Sequence, residues 1–160
     1  MPAPILVTKL YPPPLKADLV DRQNLIERLS DRLDRKATLI SAPAGFGKSI
    51  LVSAWLERLS QMPNTGAAWL SLDENDSDPA RFLTYLVAAL RQTRLLGEDF
   101  GQGLLSTLDS SQAVPVKNIL IPILNELVET DGKIILVLDD FHLIDSPEVQ
   151  DAVGYTLDHL

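Results

Sequence analysis

The chain has 160 residues, a formal net charge of -8 at pH 7 and a hydrophobic fraction of 46%. Length and hydrophobicity predict one folded domain and exclude a disordered chain, while the acidic balance argues against a nucleic-acid-binding surface. The absence of cysteine excludes disulfides, thiolate chemistry and cysteine-based zinc sites.

The N-terminal residues lack both the basic region and the long apolar stretch of a signal peptide. No apolar run approaches the roughly 20 residues that cross a bilayer. We therefore expect a cytoplasmic protein with no membrane partner.

The first part of the chain predicts an irregular segment followed by a helix. The prolines at 2, 4 and 12–14 favour extended backbone as far as Lys16. A helix is predicted over 22–34, because apolar residues recur on one face and Asp21 stands where an N-cap is needed.

The next part predicts a strand, a loop and a helix. Residues 37–42 form a short apolar run that ends in proline and glycine, which is typical of a buried strand. A glycine-rich loop follows, and the apolar periodicity of 49–61 predicts a helix that Pro63 and Gly66 terminate.

The middle of the chain predicts a second strand over 67–72 and a helix that ends near Thr93. Asp78 and Pro79 are typical of a helix start, with aspartate as the N-cap and proline at the first helical position. Residues 97–115 show little periodicity and are predicted to be mostly irregular.

The last third predicts a helix over 116–129, with Pro122 expected to kink it or shift its start. Residues 134–138 form an unbroken apolar run, the clearest buried strand of the sequence. A final helix is predicted over 147–159 behind a Ser146 cap.

Strands that alternate with helices predict an α/β fold with a mostly parallel sheet covered by helices on both faces. Only three strands are evident, which is few for a doubly wound fold.

The loop at 42–49 reads Ala-Pro-Ala-Gly-Phe-Gly-Lys-Ser and has the form A-x-x-x-x-G-K-S of a phosphate-binding loop, with alanine in place of the usual first glycine. Gly45 and Gly47 permit a backbone that aims successive N–H groups inward. Lys48 is expected to reach the β- and γ-phosphates of ATP, and the Ser49 hydroxyl to ligate Mg²⁺. The residues expected to bind the nucleotide are Ala44, Gly45, Phe46, Gly47, Lys48 and Ser49. The alternative is a glycine-rich turn with a surface lysine.

Two acids follow the last predicted strand. A carboxylate at the C-terminal end of a buried parallel strand faces the crevice where ligands bind. We expect Asp139 to hold Mg²⁺, and Asp140 to orient or deprotonate an attacking water as the catalytic residue. The alternative is that both acids simply close the strand.

The sequence gives weaker evidence on the roles of two other polar residues and four aromatic residues. Arg22 lies upstream of the loop and is expected either to cover the adenine base or to be an exposed first-turn residue. His142 follows the acid pair and is interpreted as an anchor of its loop rather than a phosphate sensor. Four aromatic residues match apolar faces and are expected in the core, namely Trp55, Trp69, Phe82 and Tyr85.

Several separated motifs together resemble one family. They are Thr8-Lys9-Leu10 with Pro12-Pro13, Val20-Asp21-Arg22, the loop from Ala42 to Ser49, Trp69-Leu70-Ser71-Leu72-Asp73, Asp78-Pro79-Ala80-Arg81-Phe82, and the run from Leu136 to Ile144. In this order the chain resembles the N-terminal ATP-binding region of large, MalT-like LuxR-type transcriptional regulators, which belong to the STAND class of P-loop NTPases.

The resemblance implies a P-loop NTPase domain of three αβα layers that acts as a switch. ATP binding would favour an assembly-competent form, slow hydrolysis in the intact protein would reset it, and a C-terminal helix-turn-helix absent from these residues would bind DNA. In this class a further strand comes later in the chain. We therefore expect 1–36 to be an N-terminal segment and helix, and 37–160 to be a partial domain. Its incomplete sheet would have exposed edges, through which the chain could self-associate.

Two other functions stay open. One is a metabolic P-loop enzyme such as a small-molecule kinase. Such enzymes tend to place an arginine-rich lid near the phosphates, and here Arg91 and Arg94 are the only close arginine pair in the middle of the chain. The other is a non-catalytic interaction fragment. A GTPase is disfavoured because no Asn-Lys-x-Asp motif occurs.

Overall fold

The computed structural model describes residues 4–18, 20–109 and 114–160. Two compact units are formed, one by Met1–Tyr11 with Asn64–Leu160 and the other by Pro12–Pro63. We call them the strand unit and the loop unit. The chain thus starts in the strand unit, forms the loop unit, and returns.

The described residues form six α-helices and two β-strands. In chain order they are α1 (Gln23–Ser30), α2 (Lys48–Leu59), β1 (Thr65–Ser71), α3 (Pro79–Arg91), α4 (Gln102–Asp109), α5 (Val116–Val128), β2 (Lys133–Asp139) and α6 (Pro147–His159). Short 3-10 turns occupy Val7–Leu10, Glu74–Ser77 and Phe141–Leu143. None of these described helices is long and apolar enough to cross a membrane.

The predicted α/β fold with a parallel sheet is confirmed. β1 and β2 pair in parallel from Thr65↔Lys133 to Ser71↔Asp139. Parallel neighbours need a crossover connection, and the segment between these strands contains α3, α4 and α5. In the described part of the chain the sheet has two strands, so it is incomplete and smaller than the predicted three.

The two strands differ in burial. Ala68, Trp69 and Leu70 of β1 are almost completely buried, whereas the apolar residues of β2 are only half-buried. The run at 134–138, predicted to be the clearest buried strand, forms β2 as expected but is less buried than β1. The apolar run marks which residues tend to be covered, but the cover itself comes from elements that are distant in sequence.

Helix starts with a side-chain cap were predicted well. Asp78 accepts a hydrogen bond from the Arg81 N–H at 2.8 Å, and Ser146 accepts one from the Val149 N–H at 3.4 Å. Pro122 lies inside α5, as expected. The cap at Asp21 was predicted wrongly, because Arg22 is the N-cap of α1 and makes no side-chain cap bond.

The predicted strand at 37–42 is not formed. These residues have no regular secondary structure, and the Leu39 side chain is 91% exposed. A strand needs a neighbour to pair with its backbone N–H and C=O groups. The described residues of the loop unit contain helices and turns but no second strand.

The prediction for α1 and for the stretch after α3 also needs correction. α1 ends at Ser30 and is followed by turns, so it is shorter than the predicted 22–34. The stretch predicted to be irregular contains α4, which buries Leu104 and packs Leu105 and Leu108 against the core. Residues 110–113 of that stretch lie outside the described residues.

Aromatic side chains occupy the interior as predicted. Trp69, Phe82 and Tyr85 are buried in the strand unit, and Trp55 is buried in the loop unit. The Trp55 indole N–H donates to the Ser30 hydroxyl at 3.1 Å, which satisfies its polar atom and ties α2 to α1.

An ion-pair cluster ties the N-terminal 3-10 turn to the segment between β1 and α3. Lys9 is 7% exposed and its ammonium pairs with Asp73 at 2.8 Å and with the completely buried Asp76. The Arg81 guanidinium holds the other oxygen of Asp76 at 3.0 Å. The Lys9 ammonium lies 4.7 Å from the centre of the Tyr85 ring. Asp76 thus balances two cations, Lys9 from 67 positions away in the sequence and Arg81 from five positions away.

Removal of the Asp76 carboxylate should destabilise the strand unit. Asp76→Ala would leave the buried Lys9 ammonium without its main partner, which costs about 3–5 kcal/mol of unfolding free energy. Chemical denaturation monitored by tryptophan fluorescence measures the loss. Glu74→Ala, at an exposed position of the same turn, is the matched control and should stay within about 0.5 kcal/mol of wild type. Equal midpoints for the two variants would contradict the role assigned to Asp76.

The stability of this cluster should depend on pH through Asp73. The hydrogen bond from the Lys9 ammonium lowers the pKa of Asp73, assisted by the Asn75 N–H and opposed by partial burial. A lowered folded-state pKa gives stability that is present above the unfolded value of about 3.9 and is lost as the pH falls through the folded value. We expect the unfolding midpoint to fall on acidification below about pH 4, and less steeply in Asp73→Asn than in Glu74→Gln. Parallel pH profiles would refute this origin.

Candidate functional site

The glycine-rich loop of the loop unit has the backbone that its sequence predicts. Gly45 and Gly47 have φ values of 81° and 72°, in the left-handed region that side chains rarely adopt. Gly47 is the N-cap of α2, which begins at Lys48. The loop therefore turns sharply into a helix start, and a residue with a Cβ at either glycine would be strained.

The helix start adds a positive end to this loop. The first N–H groups of an α-helix have no acceptor within the helix, and their aligned dipoles favour an anion. Gly47, as the N-cap, provides no side-chain acceptor for them. A loop that leads into such a helix end is suited to bind phosphate.

The Lys48 side chain folds back over the beginning of the loop. Its ammonium donates to the Ala42 carbonyl at 2.7 Å and to the Pro43 carbonyl at 3.2 Å. It is half-buried rather than extended into solvent. Its charge is therefore held at the loop, where neutral carbonyls are its acceptors.

Arg22 contacts the same loop from the start of α1. One guanidinium nitrogen donates to the Phe46 carbonyl at 2.7 Å. A Cβ built at Gly47 would lie 3.6 Å from both terminal guanidinium nitrogens. The structure thus brings together all of the predicted nucleotide-binding residues of the loop unit, namely Arg22 and the loop from Ala44 to Ser49.

The two predicted acids belong to the strand unit. Asp139 ends β2 opposite Ser71, and its backbone carbonyl accepts from the Leu72 N–H at 3.0 Å. Asp140 has φ 57°, an uncommon left-handed conformation that aspartate tolerates better than most residues. Its N–H donates to the Asp139 carboxylate at 3.2 Å. Both acids are therefore positioned at the carboxyl end of a parallel strand.

His142 lies beside this acid pair on the surface. Its Nδ1 atom is 3.9 Å from a carboxylate oxygen of Asp140, and both side chains are exposed. The contact is too long for a hydrogen bond. The role of His142 as a loop anchor stays a prediction.

Within the described residues, no group of three or more His, Asp or Glu side chains is arranged to hold a metal ion. Mg²⁺ commonly keeps several waters and takes one or two protein oxygens together with substrate phosphates. A serine hydroxyl and a carboxylate are oxygen ligands of the kind that Mg²⁺ takes, and the roles of Ser49 and Asp139 as its ligands stay predictions.

One contact of the site was missed by sequence reasoning. Arg22 was predicted to cover a base or to be exposed, and its hydrogen bond to a loop carbonyl was not foreseen. A single sequence carries no signal for such a bond, because a carbonyl acceptor is present at every residue.

Comparison with known proteins gives a consistent family. The AAA ATPase domain family matches residues 18–159. The serine/threonine-protein kinase PknK of Mycobacterium tuberculosis is 34% identical over 157 residues, which cover 98% of this chain and 14% of the kinase. The HTH-type transcriptional regulators MalT of Yersinia enterocolitica and Klebsiella pneumoniae are 34% and 30% identical, over 97% of this chain and 16% of each regulator. The resemblance to MalT-like proteins is confirmed, and the chain spans a small part of the length of these relatives.

Proposed function

This chain belongs to the AAA ATPase domain family, and we propose that it binds ATP with Mg²⁺ as the regulatory switch of a MalT-like, LuxR-type transcriptional regulator of the STAND class. The observation that carries the proposal is the loop at 42–49, with two left-handed glycines, a lysine held over it and a helix start behind it. Membership of this family implies nucleotide binding in general, and the loop would provide the groups that bind the phosphates.

Phosphate binding would proceed by an exchange of acceptors at Lys48. Phosphate oxygens are charged and accept stronger hydrogen bonds than neutral carbonyls. They would therefore compete for the ammonium now bound to Ala42 and Pro43. The backbone N–H groups of Ala44 to Ser49 would surround the remaining phosphate oxygens.

Metal binding and hydrolysis would use the two acids at the end of β2 together with one serine of the loop. We propose that Ser49 and Asp139 hold Mg²⁺, which would neutralise charge on the β- and γ-phosphates. Asp140 would orient or deprotonate the attacking water. Hydrolysis of this kind is slow and belongs to the intact protein.

The regulatory setting is inferred from what the relatives share. Their names describe a kinase in one case and transcriptional regulators in the other, yet the same segment matches 14% or 16% of each. A segment common to different output activities is best explained as a control module.

The wider setting follows from the proposed regulator. We propose that DNA binding lies outside these residues and that the regulator acts in the cytoplasm. In sequence order, residues 1–36 would form an N-terminal segment and helix, and residues 37–160 would form the partial P-loop domain. Self-association would use the edges of the two-stranded sheet.

The metabolic kinase receives less support from the structure. Such an enzyme would tend to use an arginine-rich lid, and Arg91 and Arg94 are the only close arginine pair in the middle of the chain. The Arg91 guanidinium donates to the Phe100 carbonyl at 2.9 Å, so it supports the turn before α4. No observation favours the non-catalytic fragment.

Nucleotide binding should raise the thermal stability of the protein, and Lys48 should be required. ATP with Mg²⁺ at about 100 times the dissociation constant stabilises a one-site protein by about 2.7 kcal/mol. Lys48→Ala should abolish this shift because it removes the charge that faces the phosphates. Lys36→Ala, an exposed lysine of the same unit, is the control and should keep the shift. Scanning calorimetry measures the rise in unfolding temperature that the ligand causes. An unchanged rise in Lys48→Ala would contradict the proposed site.

Hydrolysis should depend on Asp140 more than binding does. In the full-length protein, Asp140→Asn should lower the rate of phosphate release roughly 100-fold or more, the usual contribution of a general base, and leave ATP affinity nearly unchanged. Asp145→Asn changes an exposed acid a few residues further on and should keep the wild-type rate. Equal rates for these two variants would assign the catalytic role elsewhere.

A further inference from the structure

The backbone of the phosphate loop has one anchor that comes from outside the loop. Arg22 lies at the start of α1 and donates to the Phe46 carbonyl at 2.7 Å. Its guanidinium also lies over Gly47, close to the place where a Cβ would be. Two different parts of the loop unit therefore meet at the peptide that joins Phe46 to Gly47.

The rest of the loop offers this peptide little support. The Phe46 side chain is 60% exposed, so it does not fix the loop by burial. A Cβ built at Gly45 would meet nothing within 4 Å. The Phe46 N–H donates to the Pro43 carbonyl at a long 3.4 Å. Glycines on both sides of Phe46 make the backbone soft, which raises the value of an external hydrogen bond.

The hydrogen bond at Phe46 has a directional consequence. The structure has no cis peptide bonds among its described residues. In a trans peptide the C=O of one residue and the N–H of the next point in opposite directions from one rigid plane. A guanidinium that holds the Phe46 carbonyl therefore fixes the direction of the Gly47 N–H.

We propose that Arg22 is a positioning residue of the phosphate loop, which orients the Gly47 N–H toward bound polyphosphate through the Phe46 carbonyl. The inference rests on the proposed function and deepens it, because it assigns Arg22 to the phosphate part of the ligand rather than to the base. Arginine suits this role since its planar group can donate to the carbonyl while it covers the adjacent glycine.

The test compares ATP, which carries the adenine base, with inorganic tripolyphosphate, which carries no base. Binding of ATP and of inorganic tripolyphosphate, each with Mg²⁺, is measured by calorimetry on the full-length protein. Arg22→Ala should weaken both ligands by a similar factor of roughly ten, as expected for one charge-assisted hydrogen bond. Arg22→Lys, which keeps a charged donor, should recover part of both affinities. Arg28→Ala, an exposed arginine on α1, should bind both ligands like wild type.

A second measurement follows the loop without any ligand. Hydrogen–deuterium exchange of a peptide that contains residues 44–48 should be faster in Arg22→Ala than in wild type or Arg28→Ala. The unfolding midpoints of the three proteins should agree, because the Arg22 side chain is exposed.

The alternatives give different results. If Arg22→Ala weakens the binding of ATP but not of tripolyphosphate, Arg22 contacts the adenine base and the inference is overturned. Unchanged binding of both ligands in Arg22→Ala, while Lys48→Ala loses both, would overturn the role of Arg22 alone. If wild type binds neither ligand, or if Lys48→Ala binds them like wild type, the proposed function fails and the inference fails with it.

Discussion

Backbone N–H and C=O groups that are shielded from water need a hydrogen-bond partner, and this requirement shapes the backbone within each unit. β1 and β2 satisfy each other in a parallel ladder that ends at Asp139. Residues 37–42 have the apolar character of a strand but no neighbouring strand in their own described unit, and they form none. Secondary structure here follows from the available partners as much as from local sequence.

The same requirement determines how the loop can bind an anion. Its carbonyl groups at Ala42, Pro43 and Phe46 accept hydrogen bonds from the cationic side chains of Lys48 and Arg22. Two of these carbonyls, at Pro43 and Phe46, belong to peptides whose N–H groups, at Ala44 and Gly47, point the opposite way in a trans peptide. The peptide of the Ala42 carbonyl has no N–H, because proline follows. At Ala44 and Gly47 the loop therefore presents N–H donors that point away from the cationic side chains and would suit phosphate.

Sequence patterns predicted the parts of the fold whose causes are local. The helices α3 and α6 were located because Asp78 and Ser146 are caps a few residues from the N–H groups that they accept. The glycine positions of the loop were also readable, since left-handed backbone favours glycine.

The failures have causes that lie far away in sequence. α4 was missed because its polar and glycine-containing sequence becomes helical against a distant core that receives Leu104. No pattern indicates that Lys9, in a proline-rich segment, is buried against an aspartate 67 positions away. The contact of Arg22 with a carbonyl was hidden for the same reason, and the roles of the site residues stay predictions.

A switch requires that its ligand change contacts, because a ligand that interacts equally with two conformations shifts neither. Lys48 supplies such a difference. Its ammonium holds the carbonyl of Ala42, which ends the irregular segment 37–42, and the carbonyl of Pro43, which follows it. Phosphate would withdraw it from both. The Ala42 carbonyl would then need another donor, from water or from the protein, while the Pro43 carbonyl would keep the Phe46 N–H at 3.4 Å. Nucleotide binding at the loop, as proposed, would therefore be coupled to the backbone that precedes the loop, and this would give a regulatory module a physical route from nucleotide to conformation.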